Sequence, residues 1–168
     1  LAPGAKSIVL DVKVGSGAFM HDLKSAEELA KKMVAIGKHC GRNVRALITN
    51  MDVPLGRCVG NTLEVVEAIS VLKNETFGEL REICLELSAA MLSMSMDLPH
   101  DKAYAKAEIA LTSGAAYKKF KEWISAQGAD EGYADDTSLF RRANFNMVVS
   151  SPCDGYISKM NTERIGSV

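Results

Sequence analysis

The sequence predicts an α/β fold built on a βαβ unit, followed by the start of a small C-terminal β-rich domain. Two short runs rich in β-branched residues, 7–14 and 44–49, flank an amphipathic helical stretch. Branched side chains favour strands, and a helix joining two strands of one sheet leaves them parallel with a right-handed crossover. Several further helical stretches lie between residues 61 and 127. We therefore expect a βαβ-containing sheet flanked by helices.

The first predicted strand, Ser7–Val14, is short and mostly apolar and ends at the sequence Gly15-Ser16-Gly17. These glycines are similar to part of a dinucleotide-binding fingerprint. The third glycine is missing, however, and the helix cap lies eight residues beyond Gly17, too far for a pyrophosphate to rest on the helix N-terminus. We therefore interpret the glycines as a sharp turn at the end of a mostly buried strand.

The helix starts are predicted from one recurring device, a capping residue followed three positions later by a glutamate that reaches back. It occurs three times: Ser25 with Glu28, Asn61 with Glu64, and Thr76 with Glu79. Gly41 supplies a left-handed stop for the first helix, and the third is expected to end near Met96. Two more helices are expected at about 101–113 and 115–127.

The C-terminal part of the chain changes character. Residues 128–144 are polar and glycine-bearing, which predicts a linker or surface loop, and Phe145–Met160 contains two β-type runs around a Pro-Cys-Asp-Gly turn. We therefore divide the chain into an α/β domain at 1–144 and the beginning of a β-rich domain at 145–168. Because the chain begins with Leu1 and the β-type runs have barely started at Val168, we expect a segment of a longer protein.

Composition excludes several classes of function. The chain of 168 residues has 20 basic and 21 acidic residues, a net charge of −1, so the basic excess of a nucleic-acid-binding protein is missing. Its longest apolar runs are too short to cross a bilayer, and no signal peptide is visible. The four cysteines form no CxxC pair, which favours reduced thiols in a cytoplasmic protein.

The residue patterns contain no nucleophilic or histidine-based site. The three histidines lack metal-binding spacing, and neither a GxSxG elbow nor a cysteine with histidine support is present. Lys13, at the end of the first strand, could contact an anionic ligand or pair with Asp11 or Asp52. Phe19, in the following loop, could cover an aromatic base or pack within the loop.

Two glutamates in the predicted second helix have two possible roles, as cation ligands or as ordinary helix residues. Glu64 and Glu67 follow the loop 50–60, whose free carbonyls could join them around a hard cation that prefers oxygen ligands. The simpler interpretation is that Glu64 caps the helix with Asn61 and that Glu67 is a solvated surface charge.

Three stretches together resemble the pyrimidine-nucleoside phosphorylases, the family of pentosyltransferases that includes thymidine phosphorylase. They are LDVKVGSGAFM (10–20), ALITNMDVPLGRCVGNTLEVVEAI (46–69) and SPCDGYI (151–157). The resemblance implies a homodimeric enzyme that cleaves thymidine, uridine or deoxyuridine with phosphate as co-substrate, releasing the base and (deoxy)ribose 1-phosphate. It also implies that this chain corresponds to the latter part of the family's α/β domain and the first strands of its C-terminal domain.

The resemblance carries over three features of the family's site. Phe19 matches a position near the 5-substituent of the pyrimidine. Leu55, Cys58 and Glu67 match a site for potassium or a similar cation, which would be partial here. Lys13 matches a structural neighbour of the cleft.

The family's phosphate loop and base-holding residues have no counterpart in this chain, so we predict no catalytic residue and no activity of the chain alone. The alternatives are a non-catalytic α/β interaction module and a relative of the phosphoribosyltransferases.

Overall fold

The computed structural model describes residues 4–167 and confirms the α/β class. Its elements are β1 (Ser7–Val14), α1 (Leu23–His39), β2 (Asn43–Asn50), α2 (Asn61–Leu72), α3 (Glu79–Met96), α4 (His100–Thr112), α5 (Ala115–Ala126), α6 (Gly132–Asp135), a 3-10 turn (Thr137–Leu139) and α7 (Thr162–Gly166). None of the helices within residues 4–167 has both the length and the hydropathy needed to cross a bilayer.

The predicted βαβ unit is confirmed. β1 and β2 pair in parallel, from Ser7 opposite Asn43 to Val14 opposite Asn50, and α1 connects them. The core between α1 and the sheet consists of small and branched side chains: buried Val12, Ala26 and Ala30, with Leu10, Val14, Met20, Leu29, Ala46 and Ile48 against them. Because the sheet has two strands among the described residues, most of β1 is half-buried, less covered than expected.

The start of α1 differs from the predicted capping box. The N-cap is Asp22, whose carboxylate accepts hydrogen bonds from the Ser25 N–H at 2.9 Å and the Ser25 hydroxyl at 2.7 Å. These bonds lower the pKa of Asp22. A carboxylate is a strong acceptor for free helix-start amides, so Asp22 displaces Ser25 as the cap. The predicted stop is confirmed, since Gly41 has a φ of 68° and donates to the Lys38 carbonyl.

The predicted caps of α2 and α3 are wrong, because a glycine occupies the N-cap position of each helix. The N-cap of α2 is Gly60, and Asn61 is the first helical residue; only the glutamate half of the predicted box forms, with Gly60 N–H donating to Glu64 Oε1 at 3.0 Å. α3 begins after Gly78, and Thr76 does not cap it. Both glycines have positive φ, 113° and 137°, which lets the chain turn sharply into the helix.

Helix α3 contacts both strands, and α4 and α5 follow it in turn, since α4 contacts α3 and α5 contacts α4. α3 and α4 pack as an antiparallel pair around buried Leu85, Ala107 and Leu111. Arg81 of α3 is 7% exposed, and its guanidinium lies 3.2 Å from Glu82 and 3.3 Å from Glu108 of α4. The ends of α3, α4 and α5 agree with the predicted helices within two residues.

Residues 128–144, predicted as a linker or loop, contain α6 and the 3-10 turn. Asp135 of α6 accepts a hydrogen bond from the Tyr117 hydroxyl at 2.9 Å and lies 2.6 Å from the Lys121 ammonium, both on α5. Partial burial and the bond to Asp135 raise the pKa of Tyr117 to about 12. These side-chain contacts fasten the segment to α5, a long-range effect that the polar composition did not reveal.

The two β-type runs predicted in Phe145–Met160 do not form strands. Phe145, Val148 and Tyr156 are 91%, 89% and 102% exposed, and no described segment pairs with this backbone. A strand needs a hydrogen-bonding partner, so β-type residues alone do not produce one. The predicted boundary between 1–144 and 145–168 stays a prediction.

The crossing of α1 over β2 depends on Gly37. A Cβ added there would lie 3.1 Å from Val44 Cβ and closer still to Val44 Cγ2. The helix α1 therefore packs closely against β2 at Gly37, and a side chain there would push the helix away from β2.

Replacing Gly37 with alanine is expected to lower the free energy of unfolding by about 1–2 kcal/mol net, because overpacking outweighs the advantage of alanine as a helix former. Denaturant unfolding of the chain measures this. Gly166→Ala is the matched control, since Gly166 is also helical but has open space around its Cα, and it should change stability little. A Gly37→Ala chain as stable as the control would show that the close approach is not required.

Candidate functional site

The loops that follow β1 and β2 meet at the carboxyl edge of the sheet. Gly17 N–H donates to the Met51 carbonyl at 2.9 Å, and Ser16 N–H donates to Asp52 Oδ1 at 2.8 Å. Gly15 has a φ of 132°, and a Cβ there would lie 2.5 Å from the Asp52 nitrogen. Ligands of open α/β sheets bind at this edge. The glycines predicted to make a sharp turn also bring two backbones into contact here.

Lys13 is engaged by its neighbours on the sheet. Its ammonium lies 2.7 Å from Asp11 Oδ2 and donates to Thr49 Oγ1 at 2.9 Å. Of the two pairing alternatives, Asp11 is therefore the partner, while Asp52 is used by the Ser16 amide. The arrangement agrees with Lys13 as a structural neighbour of the site.

Phe19 lies in the loop between β1 and α1 with its ring almost wholly free. The ring is 98% exposed, although the loop itself is fixed by Gly15 N–H donating to the Met20 carbonyl at 2.9 Å and Ala18 N–H donating to the Gly15 carbonyl at 3.0 Å. The alternative of packing within the loop is therefore wrong. Phe19 lines an open cavity of about 740 Å³ beside β1. A ring held in water by an ordered loop is suited to covering a planar ligand.

Glu67 is the most enclosed of the predicted site residues. It is 8% exposed, its Oε1 accepts from the Arg57 N–H at 2.8 Å, and its Oε2 accepts from the Cys58 N–H at 3.0 Å. A Cβ on Gly56, whose φ is 82°, would lie 2.7 Å from Oε2. The loop therefore wraps closely around the carboxylate, and the interpretation of Glu67 as a solvated surface charge is wrong.

The loop around Glu67 leaves backbone oxygens without hydrogen-bond partners in residues 4–167. The Glu67 carboxylate forms no ion pair with any lysine, arginine or histidine in the described chain. The carbonyls of Leu55 and Cys58, in the same loop, accept no hydrogen bond from residues 4–167. A buried carboxylate without a positive partner is costly, and free carbonyls are the oxygen ligands that such cations take.

A site at this loop would depend on backbone oxygens. No group of three or more His, Cys, Asp or Glu side chains within the described part of the chain is placed to hold a metal ion. Burial, followed by the negative charge of Glu67, raises the pKa of the Cys58 thiol. The thiol therefore stays neutral at physiological pH, and any contribution of Cys58 would come from its carbonyl.

The predicted residues fall in two separate places. Phe19 lines the cavity beside β1, whereas Glu67 and Arg57 line a smaller cavity of about 220 Å³, and the two cavities share no lining residue. Thr162, which the sequence does not mark as a site residue, is 5% exposed, and its hydroxyl donates to the Asp52 carbonyl at 2.7 Å. Asn161 caps α7 and could have signalled a helix start there, but no local pattern indicates a contact across 110 positions.

The chain is similar in sequence to a glycosyl transferase domain and to pyrimidine-nucleoside phosphorylases. Residues 1–117 match the model of a family described as "Glycosyl transferase family, a/b domain". The chain is 40% identical over 168 residues to the pyrimidine-nucleoside phosphorylase of Geobacillus stearothermophilus, and 41% identical over 167 residues to that of Staphylococcus aureus strain USA300. Each match covers 99% of this chain and 39% of the relative. The chain thus spans about two fifths of the length of these relatives.

Replacing Glu67 with glutamine is expected to lower the free energy of unfolding by about 1–3 kcal/mol, because the negative charge that strengthens the bonds from the Arg57 and Cys58 amides is lost. One oxygen must then serve both amides, as Oε2 can at 3.1 Å and 3.0 Å, and the shorter Arg57 bond to Oε1 at 2.8 Å is lost. The measurement is denaturant unfolding together with hydrogen exchange at the Arg57 and Cys58 amides, which should become faster. Glu64→Gln is the matched control, since the glutamine retains an oxygen for the Gly60 N–H at an exposed position. Equal effects of the two substitutions would contradict this role for Glu67.

The raised pKa of Cys58 predicts its reactivity toward iodoacetamide. Only the thiolate reacts, so the alkylation rate of Cys58 should rise with pH around a midpoint above the ordinary value of 9.0 and should stay below that of exposed Cys153 at pH 8. Glu67→Gln removes the neighbouring negative charge and should move the midpoint of Cys58 down. Mass spectrometry of timed samples measures both rates. A midpoint of Cys58 at or below 9.0 would contradict a raised pKa.

Proposed function

Because the chain belongs to the glycosyl transferase family through its α/β domain, we propose that it forms part of a pyrimidine-nucleoside phosphorylase. Two bacterial relatives with that name, in Geobacillus stearothermophilus and Staphylococcus aureus, match 99% of the chain. Since the chain spans 39% of their length, the activity is proposed for a larger protein that contains this segment. In the proposed reaction a phosphate oxygen bonds to C1′ of the nucleoside, and the glycosidic C–N bond breaks with its electron pair leaving on the pyrimidine.

The exposed ring of Phe19 carries the proposal. An ordered glycine loop presents this ring at the carboxyl edge of the sheet, 98% exposed and without a packing partner among the described residues. We propose that it packs against the pyrimidine and fixes the plane of the base. Such a reaction needs little covalent help from the protein, so holding the base and phosphate in line supplies much of the catalysis.

The loop around Glu67 has a supporting role in this proposal. We propose that Glu67 and the carbonyls of Leu55 and Cys58 hold a potassium or similar cation as part of a larger ligand set. The support is the buried carboxylate without an ion-pair partner and the two carbonyls free of hydrogen bonds within residues 4–167. When bound, the cation would supply a fixed positive charge, while Glu67 holds the loop through the Arg57 and Cys58 amides.

The wider setting of the enzyme is also proposed. We assign it to the cytoplasm, supported by four free cysteines within the described chain, and expect a homodimer without nucleic-acid or membrane partners. The net charge of −1 agrees with a small-molecule substrate, since no strong field would attract a polyanion.

The proposal is tested with two proteins, the 168-residue chain alone and a chimera in which it replaces the matching segment of the Geobacillus stearothermophilus relative. The chain alone should release no base from thymidine or uridine, because phosphate and base need further binding groups. The chimera should release base only when inorganic phosphate is present, as measured by chromatography. A chimera that folds but releases no base would favour a non-catalytic module, and phosphate-dependent release by the chain alone would contradict its expected inactivity.

In the same chimera, Phe19→Ala should lower kcat/KM for thymidine about tenfold or more, the usual effect of removing an aromatic ring that stacks on a base. Phe145→Ala is the matched control, because Phe145 is also highly exposed, at 91%, but lies outside the cavity beside β1. Equal effects of the two substitutions would remove the support that Phe19 gives to the proposal.

A further inference from the structure

The C-terminal segment is anchored to the sheet edge at Thr162. Most apolar side chains of residues 145–157 are exposed, yet Thr162, at the start of α7, is only 5% exposed. Thr162 contacts the two loops that follow β1 and β2. A buried polar residue at the end of an exposed segment indicates a specific attachment point.

Hydrogen bonds join Thr162 to both loops. Thr162 Oγ1 donates to the Asp52 carbonyl at 2.7 Å and lies 3.4 Å from the Ser16 hydroxyl. The Ser16 hydroxyl also donates to the Met160 carbonyl at 3.3 Å, and the Ser16 amide donates to Asp52 Oδ1 at 2.8 Å. Three segments that are far apart in sequence therefore share one network, with the Thr162 hydroxyl between the other two.

The methyl group of Thr162 also fits the glycine loop. A Cβ added to Gly17 would lie 2.7 Å from Thr162 Cγ2 and 3.1 Å from the Met51 carbonyl oxygen. The threonine methyl thus rests against the bare Cα of Gly17. Both ends of the side chain, hydroxyl and methyl, contact the loop that leads to Phe19.

We propose that Thr162 is a positioning residue that fixes the loop 15–20 and thereby the place of the Phe19 ring. Glu163, the next residue, lines the same cavity of about 740 Å³ as Phe19, so the attachment lies beside the candidate site. Thr162 acts through Gly17 and Ser16. The consequence for substrate rests on the proposed function, whereas the ordering of the loop does not.

The first test is hydrogen exchange on the 168-residue chain. Thr162→Val keeps the methyl contact but removes the hydroxyl, and exchange of the Ser16 and Gly17 amides should become about fivefold to tenfold faster. Thr162→Ser keeps the hydroxyl but loses the methyl contact with Gly17, so its exchange rates should lie between those of the native chain and those of Thr162→Val. Thr112→Val is the matched control, because the Thr112 hydroxyl bonds only within α4, to the carbonyls of Glu108 and Ile109. Ser16→Ala, at the other side of the network, should accelerate the Gly17 amide in the same direction if Thr162→Val fails to fold.

The second test is the kinetics of the chimera. Thr162→Val should raise KM for thymidine several-fold with kcat little changed, and Thr162→Ser should restore KM in part. Unchanged exchange in the loop, or an equal rise in the amides of α4, would overturn the proposal. Faster loop exchange with an unchanged KM in an active chimera would overturn the link to Phe19. If Thr162→Val speeds up loop exchange but the chimera with native Thr162 is inactive, the ordering of the loop by Thr162 is upheld and the proposed function is rejected.

Discussion

The close approach of two backbones at Gly15 is the constraint on which the rest of the candidate site depends. A side chain there would collide with the Asp52 nitrogen and with the carbonyl carbon of Met51, at 2.5 Å and 2.7 Å from its Cβ. Since both neighbours are backbone atoms, they cannot rotate away as a side chain would. The loops after β1 and β2 meet only because Gly15 lacks a Cβ, and the Ser16–Asp52 bond, the exposed Phe19 and the seat of Thr162 all follow from that meeting.

The βαβ unit was predictable because its signals are local. β-branched runs, the apolar face of a helix and a glycine stop each act within a few residues, and they gave β1, α1 and β2 close to their observed bounds. The predicted caps Ser25, Asn61 and Thr76 failed because Asp22, Gly60 and Gly78 occupy the N-cap positions instead. Several residues are compatible with a cap, and the backbone around them selects one.

The parts of the site that were missed depend on distant partners. Phe145–Met160 has the composition of strands but has no strand to pair with in the described chain. Thr162 looks like an ordinary residue of a polar turn, and its burial comes from segments 110 and 146 positions away. The burial of Glu67 was also not predictable from spacing, which suggested a surface charge. The loop 56–58 folds over the side chain and buries it.

We propose that the meeting point of the two loops is part of a pyrimidine-nucleoside site whose exposed ring is Phe19. A crystal structure of the chimera with thymidine and an unreactive phosphate analogue such as sulfate tests it most directly. We expect the pyrimidine ring within van der Waals contact of Phe19, and the loops 15–20 and 51–60 still joined by the Ser16–Asp52 hydrogen bond. A pyrimidine bound away from this edge, with the Phe19 ring still surrounded by water, would contradict the account.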